Sequence, residues 1–283
     1  MPKKNTVATL MAMKERGEKI TQLTSYDFST ARLVDAAGIN TILVGDSLGM
    51  TMQGYEDTLP VTMDEMVVYG RSVGRACKNA FVILDMPFMS YQVSVEQAVE
   101  NAGRLMKECQ ANAVKLEGGA TVVKQIKAIT ACGIPVCAHI GMTPQSVNAF
   151  GGFKVQGKGE DNARRVLEDA LAVQEAGAFM VVLECVPPKL AALITKKVKM
   201  ITIGIGAGAG CDGQVLVYQD MLGMSGDFVP KFVKPFAHIG DAMSEAFRAY
   251  DAEVKAGTFP DAAHSYVKSD CSDEFLAKLD AEY

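Results

Sequence analysis

Four short apolar runs in this chain each end in an acid. They are Thr41-Ile-Leu-Val-Gly-Asp46, Phe81-Val-Ile-Leu-Asp85, Ala113-Val-Lys-Leu-Glu117 and Phe179-Met-Val-Val-Leu-Glu184. Aliphatic runs this short, bounded by turn residues, read as strands buried on both faces, the kind that parallel sheets use. A carboxylate at the tip of such a strand is held by a rigid element yet can face a ligand. Four such tips predict a cation-binding site gathered at one end of a parallel sheet or barrel.

The intervening segments agree. A helix–glycine–strand junction recurs at Gly38, Gly133 and Gly177, where glycine ends a helix in the left-handed conformation. Thr62-Met-Asp-Glu65 and Ser94-Val-Glu-Gln97 have capping-box spacing and predict helix starts. Pro187-Pro188 predicts another, since proline suits the first turn. Further helices are expected over 6–16, 29–37, 121–131, 160–176 and 239–256. Strands are expected over 19–27, 41–46, 81–85, 113–117, 135–139, 178–184 and 200–206, with Phe232-Val-Lys-Pro-Phe236 as the candidate for the last. Strands separated by helices are the signature of βα units. Eight units in 283 residues favour an α/β fold, a (β/α)8 TIM barrel, over an open sheet.

The expected layout is one barrel catalytic domain over 1–266, with a short N-terminal helix, and a polar C-terminal surface tail over 267–283. Phe275, Leu276 and Leu279 give that tail a weak helical spacing. The glycine-rich stretch Phe150–Gly159 is expected to be a mobile loop.

A net charge of -5 without a basic stripe argues against a nucleic-acid partner. Lys196-Lys197-Val-Lys199, the densest basic cluster, reads as a solvated helix end. No apolar run approaches the ~18 residues of a membrane span. Lys14, Glu15 and Arg16 interrupt any signal-peptide core, so neither membrane nor export is expected. Seven cysteines lack any C-x-x-C spacing, and Cys109, Cys132 and Cys137 sit in apolar stretches. They read as small buried hydrophobes in a reducing cytoplasm.

Asp46 and Asp85 end neighbouring strands. Two carboxylates so close repel each other unless a cation lies between them. All-oxygen ligation suits Mg²⁺; the alternative is that each acid caps a helix or loop. Ser47 either binds a carboxylate through its hydroxyl and amide or caps a turn. Lys115 and Glu117 lie two apart and share one face of their strand. The lysine then holds a substrate carboxylate or steadies an enolate, or the two form a structural ion pair. Glu117 can also serve as a water-mediated metal partner. His139 ends the fifth strand and reads equally as a core or a functional histidine. Glu184 is the expected base, with a third metal ligand or a salt bridge as its other readings. Gly204-Ile-Gly206-Ala-Gly208-Ala-Gly210 half-fits a dinucleotide fingerprint. Cys211-Asp212-Gly213 then makes a turn where that fold needs a helix, so the glycines read as close-packed backbone at the barrel mouth.

Several motifs together resemble one family. They are Leu23-Thr-Ser-Tyr-Asp27, Val44-Gly-Asp-Ser-Leu-Gly49, Leu84-Asp-Met-Pro-Phe88, Val114-Lys-Leu-Glu-Gly118, His139-Ile-Gly-Met-Thr-Pro144, Glu184-Cys-Val-Pro187 and Ile203-Gly-Ile-Gly-Ala-Gly208. In this order and spacing, over roughly 3–266, they are similar to ketopantoate (3-methyl-2-oxobutanoate) hydroxymethyltransferases. The resemblance implies a decameric (β/α)8 barrel of pantothenate and coenzyme A biosynthesis. It implies Mg²⁺ and 5,10-methylenetetrahydrofolate as one-carbon donor, with 2-dehydropantoate as product. Asp46, Asp85 and Glu117 match its acids at the metal. Asp46, Ser47, Asp85 and Lys115 match residues around the oxo acid, His139 a histidine near the substrate, and Glu184 the catalytic base.

Three rivals stand beside it. One is another Mg²⁺-dependent enolate enzyme of the phosphoenolpyruvate mutase and isocitrate lyase type, although the Lys-Lys-Cys-Gly-His signature of isocitrate lyase is absent. Another is a class I aldolase with Lys115 as Schiff base. The third is a non-catalytic ligand-binding barrel.

Overall fold

The structure, a computed structural model, describes residues 4–226, 229–266, 268 and 270–283. Eight parallel strands close into a barrel, each paired with the next and the last with the first. They are β1 Ile20–Thr24, β2 Thr41–Val44, β3 Phe81–Asp85, β4 Ala113–Glu117, β5 Val136–Gly141, β6 Met180–Glu184, β7 Ile201–Ile205 and β8 Gly213–Leu216. The helices of the first half are α1 Val7–Glu15, α2 Phe28–Ala36, α3 Leu48–Thr51, α4 Met63–Ala76, α5 Val95–Cys109 and α6 Val123–Ala131. Those of the second half are α7 Val147–Phe150, α8 Glu160–Glu175, α9 Pro188–Lys197, α10 Tyr218–Met221, α11 Ile239–Ala256 and α12 Asp273–Glu282. The TIM-barrel expectation is met.

One strand is not where the sequence put it. Phe232–Phe236 is irregular, and β8 is formed by Gly213–Leu216. The loop 206–212 holds no helix, so the βα alternation fails at the last step. The glycine run makes the short loop possible. Gly208 has φ 80°, and a Cβ there would lie 2.6 Å from Pro188 Cβ. A Cβ on Gly213 would lie 2.2 Å from the Ile20 carbonyl oxygen, so only glycine lets β8 close on β1.

The barrel is filled by Ile20, Leu43, Phe81, Ile83, Met180, Val182, Ile201 and Ile203, with Leu10 of α1 in the same cluster. Burying each such side chain is worth about 1.5–3 kcal/mol. Lys14 ties α1 across the N-terminal end: its Nζ donates to the Met200 carbonyl and to Asp212 Oδ2, both at 2.7 Å. With that end covered, ligand access falls to the strand C-termini, as in barrel enzymes generally. The capping box at Thr62 forms in full. At Ser94 only half forms: the hydroxyl accepts from Gln97 N at 3.1 Å, but Gln97 Oε1 has no partner among the described residues. Cys109 and Cys137 are buried as expected, whereas Cys132 caps the end of α6 and is exposed.

The chain packs as two compact units. The barrel unit runs to Met221 and includes Ser225–Pro235. The second comprises Leu222–Met224 and Phe236–Tyr283, so the helix expected over 239–256 belongs to it and not to the barrel unit. Val267 and Ser269, in the expected tail, lie outside the described residues. No helix among the described residues is long and apolar enough to cross a membrane.

Candidate active site

The strand tips converge. Registers set Asp85 beside Lys115, Glu117 beside His139 and Gly141 beside Glu184. Asp46, Ser47, Asp85, Lys115, Glu117, His139 and Glu184 all line one cavity of about 160 Å³. All seven candidate site residues therefore line the same space.

Asp46 and Asp85 touch: the Asp46 amide donates to Asp85 Oδ2 at 3.1 Å. Lys115 Nζ lies 3.0 Å from Asp85 Oδ1 and 3.3 Å from His139 Nδ1. The His139 ring bridges two glutamates, with Nδ1 3.3 Å from Glu117 Oε1 and Nε2 3.3 Å from Glu184 Oε2. Ser47 does not cap a turn through its side chain; its Oγ meets the Tyr26 hydroxyl at 2.8 Å. Burial pushes the Tyr26 phenol up to about 12, so it stays neutral.

Burial and like charge both weigh on the acids. Burial raises the Asp46 carboxyl well above its ordinary range, and the charges of Asp85 and Glu117 add to it. Burial also raises Asp85, despite opposition from Lys115. Burial alone would lower Lys115, but Asp85, Glu117 and Asp46 outweigh it and the ammonium is stabilised. His139 is lowered by burial and by Lys115, yet its contacts with Glu117 and Glu184 prevail and lift it to about 9. Four acids thus crowd around one lysine and one histidine, and like charge adds to burial at Asp46.

A divalent cation would relieve that repulsion, and the hard oxygen donors match Mg²⁺. Among the described residues no three His, Cys, Asp or Glu side chains form a ready-made metal cage. Mg²⁺ does not require one, since it binds through one or two carboxylates and keeps water and substrate as its other ligands. Asp46 and Asp85 fit that pattern. Both Glu117 oxygens already meet protein groups, Oε2 the Gln145 amide at 2.9 Å and Oε1 the His139 ring.

Some site residues escaped sequence reading. Gln145, Tyr91 and Tyr26 hold the carboxylates and Ser47 from behind. Thr58 lines the cavity with a buried hydroxyl that has no partner among the described residues. Phe153 and Phe232 form apolar wall. Gln145 directly follows the motif ending at Pro144, so a polar residue one step past a strand-end motif was the available signal.

Residues 4–262 match the family described as Ketopantoate hydroxymethyltransferase. A protein of Clostridium novyi (strain NT), named 3-methyl-2-oxobutanoate hydroxymethyltransferase, is 64% identical over 263 residues, 93% of this chain and 96% of its own length. The chain belongs to the ketopantoate hydroxymethyltransferase family. A second hydroxymethyltransferase of that name, from Enterococcus faecalis (strain ATCC 700802 / V583), is 59% identical over 98% of this chain and 99% of its own. As a member of this family the protein is an enzyme, a hydroxymethyltransferase, as its motifs imply. The transferase barrel also resembles phosphonopyruvate hydrolase solved in complex with oxalate and Mg²⁺. The TM-score is 0.60 at 13% identity, covering 98% of this chain and 96% of that one. A 2,3-dimethylmalate lyase of the PEP mutase/isocitrate lyase superfamily gives 0.58 at 15%, covering 98% of each chain. At such identities the shared feature is the fold.

Proposed function

We propose that the enzyme transfers a hydroxymethyl group from 5,10-methylenetetrahydrofolate to C3 of 3-methyl-2-oxobutanoate, giving 2-dehydropantoate for pantothenate and coenzyme A synthesis, with Glu184 as base. One observation carries the assignment of the base. The Glu184 side chain keeps 17% exposure, against 4% for Asp85 and Glu117. Three acids are sunk in the wall, and one opens into the cavity.

Asp46 and Asp85 are the residues to hold Mg²⁺, with Glu117 behind them adding negative charge. Mg²⁺ bound there supplies a Lewis acid that draws electron density from the 2-oxo group and acidifies the C3 proton. The oxalate and Mg²⁺ of the phosphonopyruvate hydrolase structure, a dicarboxylate with the same cation on the same fold, support this reading. The Ser47 hydroxyl and amide hold the substrate carboxylate. The Lys115 ammonium steadies charge on the oxo group as Glu184 removes the C3 proton. The His139 imidazolium orients Glu184 from one nitrogen while contacting Glu117 with the other. The C3 enolate then attacks the methylene carbon of the folate as one of its two C–N bonds breaks, and water cleaves the second, supplying the hydroxyl oxygen to the product and a proton to the nitrogen of the departing tetrahydrofolate. A cavity of about 160 Å³ suits the small oxo acid, so the folate approaches from the mouth. Loop 151–159 brings Phe153 to the cavity wall and is the segment that closes over it. A Schiff base at Lys115 is disfavoured, because that chemistry needs a free amine and this ammonium is stabilised.

The enzyme acts in the cytoplasm as a homo-oligomer, a decamer by family resemblance, with its catalytic barrel within 1–266. The exposed face Met243, Phe247, Tyr250 and Val254 of α11 supports self-association.

The test is exchange of the C3 hydrogen of 3-methyl-2-oxobutanoate with deuterated buffer, with and without Mg²⁺. Glu184→Gln should slow exchange by about 100- to 10,000-fold while substrate binding persists. Exchange at the parent rate would show that another group is the base. Asp85→Ala should weaken Mg²⁺ and substrate binding together.

A further inference from the structure

We propose that Gln145 is a positioning residue of the cation site, fixing the Asp46 carboxylate through its side-chain amide and Glu117 through its backbone, with Tyr91 completing the lock. The inference rests on the reading that Asp46 and Asp85 hold a divalent cation.

Gln145 sits on the single 3₁₀ turn Pro144–Ser146 that follows β5, and is 6% exposed. Both polar atoms of its side chain and its backbone N–H are engaged. Nε2 donates to Asp46 Oδ2 at 2.8 Å and to the Met86 carbonyl at 3.0 Å. Oε1 accepts from the Tyr91 hydroxyl at 2.7 Å and from Gln92 Nε2 at 3.2 Å. Its backbone N–H donates to Glu117 Oε2 at 2.9 Å. A carboxylate and a backbone carbonyl can only accept, so the two Nε2 bonds determine which way the amide faces. The Tyr91 hydroxyl also accepts from Glu117 N at 3.0 Å. One glutamine therefore ties the tips of β2, β3 and β4 together at the point where their acids meet.

A residue placed only for packing has no need of a buried amide aimed at a carboxylate. Here the donors are delivered to Asp46 and Glu117, which repel each other and Asp85. Without the side-chain donor Asp46 relieves the repulsion by rotating, and so rotated it is a poorer ligand. Residues that hold metal ligands by hydrogen bonds typically change affinity by about 10- to 100-fold when removed.

The experiment uses the full-length protein and Mn²⁺ alone as probe, with free Mn²⁺ read by electron paramagnetic resonance at neutral pH. Gln145→Met keeps the volume and loses every side-chain donor. It should weaken Mn²⁺ binding about 10- to 100-fold. C3–H exchange should return to the parent rate at saturating Mn²⁺, so the apparent constant for the cation moves and the plateau does not. A role in folding alone would not produce that split. Parent-like Mn²⁺ affinity in folded Gln145→Met overturns the proposal, and so does a lowered plateau with unchanged affinity. If that variant does not fold, Tyr91→Phe decides: weakened Mn²⁺ binding supports the proposal and parent-like binding overturns it. Parent protein and Asp85→Ala serve as controls. A parent that fails to bind Mn²⁺, or an Asp85→Ala that binds it normally, sinks the underlying cation reading itself.

Discussion

Replacing Asp35 by alanine should destabilise the barrel far from the chemistry. Asp35 lies on α2 and receives the chain entering β3. Its Oδ1 accepts from Asn79 N at 2.9 Å and from Ala80 N at 2.7 Å. Its Oδ2 accepts from Lys78 N and Asn79 Nδ2, both at 3.1 Å. Ala80 is fully buried, so its N–H finds no water once the carboxylate is gone. That orphan costs about 1–3 kcal/mol. The other three donors are partly buried and rehydrate, losing about 0.5–1.5 kcal/mol each. With overlap between them, the expected loss is about 3–5 kcal/mol, at the high end for one substitution. At ~2–4 °C per kcal/mol, Tm falls by roughly 10 °C. The effect has a pH signature. Burial alone would raise the Asp35 carboxyl, but the three backbone amides and Asn79 prevail and hold it below its ordinary range. A lowered folded value means the stabilisation is present above the unfolded value near ~3.9 and is lost as pH falls through the folded one. Thermal unfolding of parent and Asp35→Ala should therefore differ by a constant gap from neutral pH down to about 5, narrowing below it. A Tm change under about 2 °C at neutral pH, or a gap that ignores acidification, would refute the reasoning.

Further outcomes follow from the site. Borohydride added with 3-methyl-2-oxobutanoate should leave Lys115 unmodified, because its neighbouring acids keep the ammonium protonated; peptide mass mapping reads this, and an adduct there would point to a Schiff base. In the metal-free protein the His139 ring should titrate near 9 by ¹⁵N chemical shift. Its stabilising share is full below the unfolded value of ~6.5 and is lost as pH rises through about 9; a midpoint below 7 would contradict the double glutamate contact. Gly152 holds φ at 110°, so Gly152→Ala strains loop 151–159 whatever the space around it. Steady-state kinetics should show kcat and KM altered together, and unchanged values would remove the loop from the catalytic cycle.

Much of this enzyme is written locally in its chain. Seven of the eight strands, the helix start at Thr62 and the glycines at 38, 133 and 177 are legible because they depend on residues a few positions apart. The seven cavity residues were legible too, because a strand tip carries its acid to the same barrel end whatever lies between the strands. Tertiary structure alone decided three things. It assigned β8 to Gly213–Leu216, since that strand exists only by pairing with β1, nearly two hundred residues earlier. It set His139 between two glutamates and Lys115 beside Asp85, pairings made across strands and not along them. It also brought Gln145 to Asp46, although no spacing in the sequence relates them. A hydrogen bond between distant residues is specified by the closure of the whole barrel, which period and propensity do not encode.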